Sequence, residues 1–289
     1  MNKVSRFLLG MSLAVSCGCT VSAQQSSPTI PKILQITREF VKPGKTGLAH
    51  EKAESAFVDA MRKAKWPTYY IGMTSLSGKS RALFLTSYAS FDGWQKDADA
   101  VDKNATLSAA LDRAAMADGD LLDSLDQGVF YFHEEMSMNP RSDLSQFRYM
   151  EITLFHVKPG KDKEWGEVVK MAKAGYQKGI PDAHWGMFEE VYGGEGGNYI
   201  LLTGHKNLAE IDKGFADGKK FEDAMGEEGM KKLNEAFASC VDASSTQLFA
   251  YNPHMSYVSD DWIKSDPDFW KPKAAAAPAK PAAEKKPAQ

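Results

Sequence analysis

A five-residue segment occurs twice in this chain and constrains its fold more than any other feature. Val41-Lys42-Pro43-Gly44-Lys45 recurs as Val157-Lys158-Pro159-Gly160-Lys161. Each copy follows a run typical of a β-strand and precedes a run typical of an α-helix, and its proline and glycine favour a turn between the two. The repeat therefore predicts two copies of one small α/β unit.

The segments around the repeat predict the same order of elements in both copies. Alternating apolar residues indicate strands, and apolar residues three and four apart indicate helices. The first helix carries such a stripe at Ala53, Ala56, Phe57, Ala60, Met61 and Ala64, and Ser90 and Asn207 are predicted helix caps. Strands are predicted at 33–41, 69–76, 82–88 and 129–138, with helical sequence from 90 to about 126, and again at 149–157, 184–191, 199–205 and 247–255.

This order, β-α-β-β-α-β, is the ferredoxin-like arrangement. Its helices cover one face of a four-stranded sheet, so the bare face needs a partner. Two units in one chain supply that partner, which predicts an α+β protein whose two sheets pack together as a pseudo-dimeric α+β barrel. Within each sheet we expect the strand order 4-1-3-2, with strands one and three parallel.

The duplicated pattern resembles the dimeric α+β barrel superfamily, which includes antibiotic-biosynthesis monooxygenases, NIPSNAP-like proteins and chlorite-dismutase-like haem proteins. The resemblance covers about residues 30–258, as units at 30–139 and 147–258, and rests on element order without a diagnostic catalytic motif. It implies a monomer with an internal pseudo-dimer, and leaves further oligomerisation open. Because one fold hosts many chemistries, it does not decide whether the chain is an enzyme.

The two ends of the chain predict an exported protein. Lys3 and Arg6 precede an apolar run at 7–15 and small residues up to Ala23, the pattern of a signal peptide at 1–23. Acylation at Cys17 or Cys19 is the less favoured alternative, and the expected location is periplasmic or secreted. A C-terminal extension at 259–270 leads to an Ala/Pro/Lys tail at 271–289, which is predicted to be disordered.

Charge and cysteine content exclude several classes of function. The chain has a net charge of −3, and its basic tail leaves an acidic body, which argues against a nucleic-acid partner. No segment is long enough for a transmembrane helix. Cys240 falls on an apolar helical stripe and is predicted to be a buried structural residue rather than a reactive thiol.

Three histidines of the second unit are candidate site residues. With strands one and three parallel, His156, His184 and His205 would lie towards the same end of the sheet, opposite Phe40, Tyr70 and Tyr88 of the first unit. Histidines there could act as acid, base or axial ligand. No metal-binding motif accompanies them, so no metal site is predicted, and ordinary structural roles are the alternative.

Arg38 and several aromatic residues are the other pocket candidates. Arg38 shares a strand face with Leu34, Ile36 and Phe40, so it needs a polar partner or a cavity. A buried ion pair or a side chain extending to the sheet rim is the alternative. The aromatic candidates, which core packing would also explain, are Trp66, Tyr70, Tyr88 and Trp185.

Three functions remain open from the sequence. The first is an exported protein that binds a small apolar or aromatic molecule in the barrel without a cofactor, as in a cofactor-independent monooxygenase. The second is haem binding through His156 or His205 of the second unit. The third is a non-catalytic interaction module of the cell envelope.

Overall fold

The computed structural model describes residues 30–271, so the predicted signal peptide and nearly all of the predicted tail lie outside the described residues. The first unit has the predicted order of elements, and its second helical region divides in two at Asn104. Its elements are β1 (Ile33–Val41), α1 (Leu48–Ala64), β2 (Tyr70–Ser75), β3 (Arg81–Tyr88), α2 (Phe91–Lys103), α3 (Ala105–Gly119) and β4 (Leu122–Met138).

The second unit repeats this order with one long final helix, which is interrupted at Gly226. Two short helices follow the last strand. The elements are β5 (Tyr149–Val157), α4 (Asp162–Gly179), β6 (Trp185–Tyr192), β7 (Asn198–His205), α5 (Ala209–Cys240), β8 (Val241–Tyr251), α6 (Asp260–Ser265) and α7 (Pro267–Trp270).

The eight strands form one closed barrel in the order β1-β3-β2-β8-β5-β7-β6-β4. Each unit contributes four consecutive strands in the predicted order 4-1-3-2. Hydrogen bonding between β2 and β8 and between β4 and β6 joins the two units. The predicted fold class, two ferredoxin-like units combined into an α+β barrel, is confirmed by this strand order.

The predicted strand directions are wrong, and this changes where the histidines lie. β1 and β3 are antiparallel, as are β5 and β7. The reason is that the helical crossover makes strands one and two run the same way, and the hairpin after strand two reverses strand three. In the β5–β7 register, His156 is opposite Asn198 and His205 is opposite Tyr149. His156 and His205 are therefore at opposite ends of the barrel.

One apolar core fills the interior of the barrel and includes residues of both units. It contains Leu34, Met73, Phe130, Met150 and Phe249, all buried. The helices lie on the outside of the barrel, against the other face of each strand. Cys240 is buried in the layer between the second sheet and its helices, as predicted.

Three predicted details of the elements differ. Ala56 of the predicted helix stripe is exposed, and the fully buried positions of α1 are His50, Glu54 and Val58. The fourth strand begins at Leu122 rather than 129. The residue preceding α5 is Leu208, and Asn207 makes no side-chain cap there.

The two C-terminal helices close one end of the barrel. Trp270 of α7 is 2% exposed and packs in the barrel core together with Tyr251 and Val258. Its indole Nε1 donates a hydrogen bond to the Ser145 carbonyl at 2.8 Å, and Arg148 pairs with Asp266. Within residues 30–271, none of the helices combines the length and the apolar character that a membrane span needs.

Candidate functional site

The barrel end opposite α6 and α7 has polar residues on its inward-facing strand positions. Towards this end, most strands carry a polar residue on their inward face, and the inward residues deeper in the barrel are apolar. We call this region the cup. Its rim residues are Arg38, Arg81, Asp126, His156, Glu190, Asn198 and Gln247, and its floor residues are Ile36, Leu83, Phe130, Ile152, Phe188, Ile200 and Phe249.

The cup is open to solvent at its rim. Leu154 faces inward on β5 but is 38% exposed, and the Asp126 side chain is 51% exposed. Ser245, opposite Leu154 on β8, is also exposed. These inward-facing residues reach solvent, so this end of the barrel is open, and the apolar floor residues lie deeper inside.

Five rim residues form one continuous hydrogen-bonded network. Arg38 pairs with Asp126 and places Nη2 3.5 Å from Glu190 Oε1. Asn198 Nδ2 donates to Glu190 Oε2 at 2.8 Å, and His156 Nδ1 lies 2.9 Å from Asn198 Oδ1. Because that amide oxygen only accepts, we assign the proton to Nδ1 of His156, which leaves Nε2 for a ligand.

Two glycines make room for the Glu190 carboxylate. A Cβ atom at Gly128 would lie 2.5 Å from Glu190 Oε1, and one at Gly194 would lie 2.2 Å from Glu190 Oε2. Both approaches are shorter than van der Waals contact. The glycines therefore allow a carboxylate to be buried at the side of the cup, where Arg38 balances its charge.

Arg81 completes the rim on the side of the first unit. Its guanidinium donates to Gln247 Oε1 and lies over the rings of Phe40 and Phe249, 5.5 and 5.3 Å from the ring centres. Burial, followed by the charge of Arg38, lowers the pKa of Arg81. The cup thus contains two guanidinium groups and two carboxylates, with no large excess of either charge.

Of the predicted site residues, Arg38 and His156 belong to the cup, whereas the aromatic candidates of the first unit do not. Trp66 and Tyr88 donate hydrogen bonds to Asp97 at 2.9 and 3.3 Å, on the outer side of the sheet. Tyr70 also lies in that layer, where burial and then the charges of Glu54 and Glu39 raise its pKa.

The remaining candidates are at the covered end of the second unit. His184 stacks on Phe147 with ring centres 5.9 Å apart, and its Nε2 donates to the Gly204 carbonyl at 3.1 Å. Trp185 is buried and donates to the Met136 carbonyl at 3.0 Å. His205 Nε2 lies 3.9 Å from Glu151 Oε2. These residues do not line the cup.

A second group of functional side chains was missed in the sequence. Glu39, His50, Glu54 and Asp118 form a buried cluster between β1, α1 and α3, on the opposite side of the sheet from the cup. The available signal was the four-residue spacing of His50 and Glu54, which puts both side chains on one face of α1. Predicted helix and strand faces alone do not bring Glu39 and Asp118 to the same point.

No family model matches the sequence. No curated protein matches it either. Its fold is an α+β barrel made of two ferredoxin-like units in one chain.

Similar solved structures include a protein from Lactobacillus acidophilus NCFM with a provisional monooxygenase assignment, 8% identical, with 77% of this chain and 94% of that chain aligned and a TM-score of 0.47. An anthrone oxidase-like protein is 12% identical over 78% of this chain and 93% of its own, with a TM-score of 0.47. A heme-binding protein from Thermus thermophilus is 11% identical, with 82% of this chain and 95% of that chain aligned and a TM-score of 0.44.

Proposed function

We propose that this protein binds a small aromatic molecule carrying an oxygen substituent, and that the cup is the binding site. The observation that carries the proposal is the network of Arg38, Glu190, Asn198 and His156 at the open end of an apolar barrel interior. Small-molecule sites are typically concave and apolar with a few fixed polar groups. The apolar floor suits a ring, and the rim supplies donors for an oxygen.

The rim also suggests which polar group the ligand carries. Arg38 offers a guanidinium and His156 offers Nε2, and the other members of the network hold both side chains in place. A carboxylate or phenolate oxygen would accept from Arg38, and a phenol hydroxyl would donate to the unprotonated Nε2 of His156. Neutral hydrocarbons would leave the rim groups without the contact, so they should bind more weakly.

Three naphthalene derivatives test this proposal. Isothermal titration calorimetry should show that 1-naphthoate and 1-naphthol bind more tightly than 1-methylnaphthalene. Arg38→Gln should weaken binding of 1-naphthoate about tenfold, the loss of one charge-assisted hydrogen bond. Leu154→Trp should block the cup and abolish binding of all three.

A matched control lies outside the cup. Glu54→Gln alters the buried cluster and should leave binding of 1-naphthoate unchanged. Binding that is insensitive to both Arg38→Gln and Leu154→Trp would contradict the cup as the site. If none of the three molecules binds, the interaction-module hypothesis would be favoured instead.

Cofactor-independent oxygenation is a further activity that the cup could support. His156 Nε2 could take the proton of bound 1-naphthol, and dioxygen could then oxidise the resulting naphtholate to a naphthoquinone, with one oxygen atom entering the product and the other leaving as water. Oxygen-electrode measurements with 1-naphthol should then show uptake that His156→Gln abolishes. The absence of uptake would limit the proposal to binding.

Haem binding is the second candidate function, and His156 favours it over His205. Metal-bound histidines generally donate their other ring nitrogen to a hydrogen-bond acceptor, as His156 does to Asn198. His205 lies beside Glu151 at the covered end of the barrel. A Soret band after haem reconstitution, lost in His156→Ala, would support this function, and its absence would exclude it.

We also propose export, on the basis of Lys3, Arg6, the apolar run 7–15 and the small residues before Ala23. N-terminal sequencing of protein from a periplasmic fraction should begin at Gln24. A mature N-terminus at Cys17 or Cys19 would instead indicate a lipoprotein.

A further inference from the structure

The buried cluster of the first unit combines one imidazole and three carboxylates. Glu39 is near the end of β1, His50 and Glu54 are one turn apart on α1, and Asp118 is in the last turn of α3. Each of the four residues is at most 6% exposed. Buried carboxylates are costly unless they are paired or coordinate a cation.

The four side chains converge on one point. His50 Nε2 lies 3.1 Å from Glu39 Oε2, 3.4 Å from Asp118 Oδ1 and 3.9 Å from Glu54 Oε1. All four potential ligand atoms lie within 4.8 Å of one another. Ligands bound about 2.1 Å from a metal ion are about 3–4 Å apart, so these spacings suit a shared ion after small adjustments.

Two oxygens in the cluster have no hydrogen-bond donor. Glu54 Oε1 and Asp118 Oδ1 are buried and receive no hydrogen bond from any described residue. Burial, followed by the charges of Glu39 and Asp118, raises the pKa of Glu54 to about 10. Burial and the charge of Glu39 raise the pKa of Asp118 to about 6. A bound cation would supply the partner that these two buried oxygens lack.

The second unit builds the same layer without any such cluster. In the register of the repeated pentapeptide, Phe155 occupies the position of Glu39. Phe155 packs against Trp165 of α4 with ring centres 4.9 Å apart, in a buried apolar cluster. The fold itself therefore does not require carboxylates here. Apolar replacements of buried charged groups are often neutral or stabilising, so folding alone does not account for this cluster in the first unit.

We propose that the first unit binds one divalent first-row transition-metal ion through Glu39, His50, Glu54 and Asp118. An imidazole nitrogen with carboxylate oxygens suits Zn²⁺, Mn²⁺ or Fe²⁺ better than the all-oxygen sites of Ca²⁺ and Mg²⁺. Three carboxylates also supply enough negative charge to offset that of the ion. The ion would connect β1, α1 and α3, and its binding is independent of the cup.

Metal binding by the full chain tests the proposal directly. After treatment with EDTA, the protein should bind one equivalent of Zn²⁺ that survives gel filtration, as measured by native mass spectrometry. The same equivalent should raise the melting temperature, and a tenfold excess of Mg²⁺ should not displace it. Failure of wild-type protein to retain Zn²⁺, with an unchanged melting temperature, would overturn the proposal.

Isosteric variants locate the ion. Glu54→Gln and His50→Gln should weaken Zn²⁺ binding at least tenfold and abolish the rise in melting temperature. Glu54→Gln puts a neutral amide of nearly the same shape in place of the buried carboxyl group, so the metal-free variant should fold, as far-ultraviolet circular dichroism would verify.

A histidine–carboxylate cluster at the surface provides the matched control. His133 lies 2.8 Å from Glu135 and 2.9 Å from Glu189. His133→Gln should retain the tightly bound ion. Loss of that ion in His133→Gln, with retention in His50→Gln and Glu54→Gln, would assign the metal to the surface and overturn the buried site.

Discussion

Gly128 and Gly166 should respond in opposite ways to replacement by alanine. A methyl group at Gly128 would collide with the Glu190 carboxylate, and nothing lies within 4 Å of the corresponding position at Gly166 in α4. We expect Gly128→Ala to lower the free energy of unfolding by about 1–3 kcal/mol through overpacking. Gly166→Ala should raise it by about 0.5–1 kcal/mol, because alanine favours a helix. Urea unfolding would measure both changes, and equal effects would contradict the tight packing of Glu190.

His205 should make the protein less stable in acid. Burial lowers its pKa below the ordinary value of 6.5, and Glu151 opposes the change only in part. As the pH falls below 6.5, the unfolded chain binds a proton before the folded protein does, so the free energy of unfolding decreases. His205→Gln should remove this loss.

Unfolding by urea at pH 5 and pH 8 would test the role of His205. The informative quantity is the difference in the free energy of unfolding between pH 5 and pH 8, because a purely structural effect of the substitution would appear equally at both. Glu151→Gln removes the charge that supports the protonated ring and should enlarge the acid loss. An unchanged pH difference in both variants would contradict the role of His205.

Individual site residues were predictable only where the strand pattern made them conspicuous. Arg38 stands out because it interrupts an apolar strand face, and the structure places it in the cup. Its partners Glu190 and Asp126 lie on other strands, and sequence alternation does not specify which strands are neighbours across the two units. Strand alternation puts Glu39 on the opposite face from Arg38, but the approach of α1 and α3 to that face depends on tertiary packing.

At the scale of elements, the C-terminal helices should stabilise the whole barrel. Trp270 is buried in the barrel core and anchors α7 to the segment before β5 through its bond to Ser145. Trp270→Ala should lower the free energy of unfolding by about 3–5 kcal/mol. Phe215→Ala, at a side chain that is 83% exposed, should change it by no more than about 0.5 kcal/mol. If Trp270→Ala leaves the free energy of unfolding unchanged, α7 is not part of the core in solution.

The order of elements was predictable because the same pattern of strands and helices surrounds both copies of the repeated pentapeptide. The start of β4 was not, because residues 122–128 contain several polar side chains that face the rim of the cup or solvent. The buried face of α1 was also misjudged. His50 and Glu54 are buried through their contacts with Glu39 and Asp118. A search for apolar residues at helical spacing cannot predict buried polar positions of this kind.

At the scale of the whole molecule, the two units are similar in backbone and different in chemistry. Both close the same barrel, yet the layer outside the first sheet contains a carboxylate–histidine cluster and the corresponding layer of the second is apolar. The cup differs from both because it takes Arg38, Arg81 and Asp126 from one unit and Glu190, Asn198 and His156 from the other. The cup therefore requires the assembled barrel, whereas the buried cluster uses residues of the first unit alone.

The barrel should unfold as one cooperative body. Met73 of the first unit and Phe249 of the second are fully buried in the same core, and β2 pairs with β8 across the boundary between the units. A cavity on either side therefore weakens packing for both units. Met73→Ala and Phe249→Ala should each lower the free energy of unfolding by about 2–5 kcal/mol and shift a single calorimetric transition. Two separate transitions, with each variant shifting only one, would mean that the units fold independently and that the cup opens before the second unit melts.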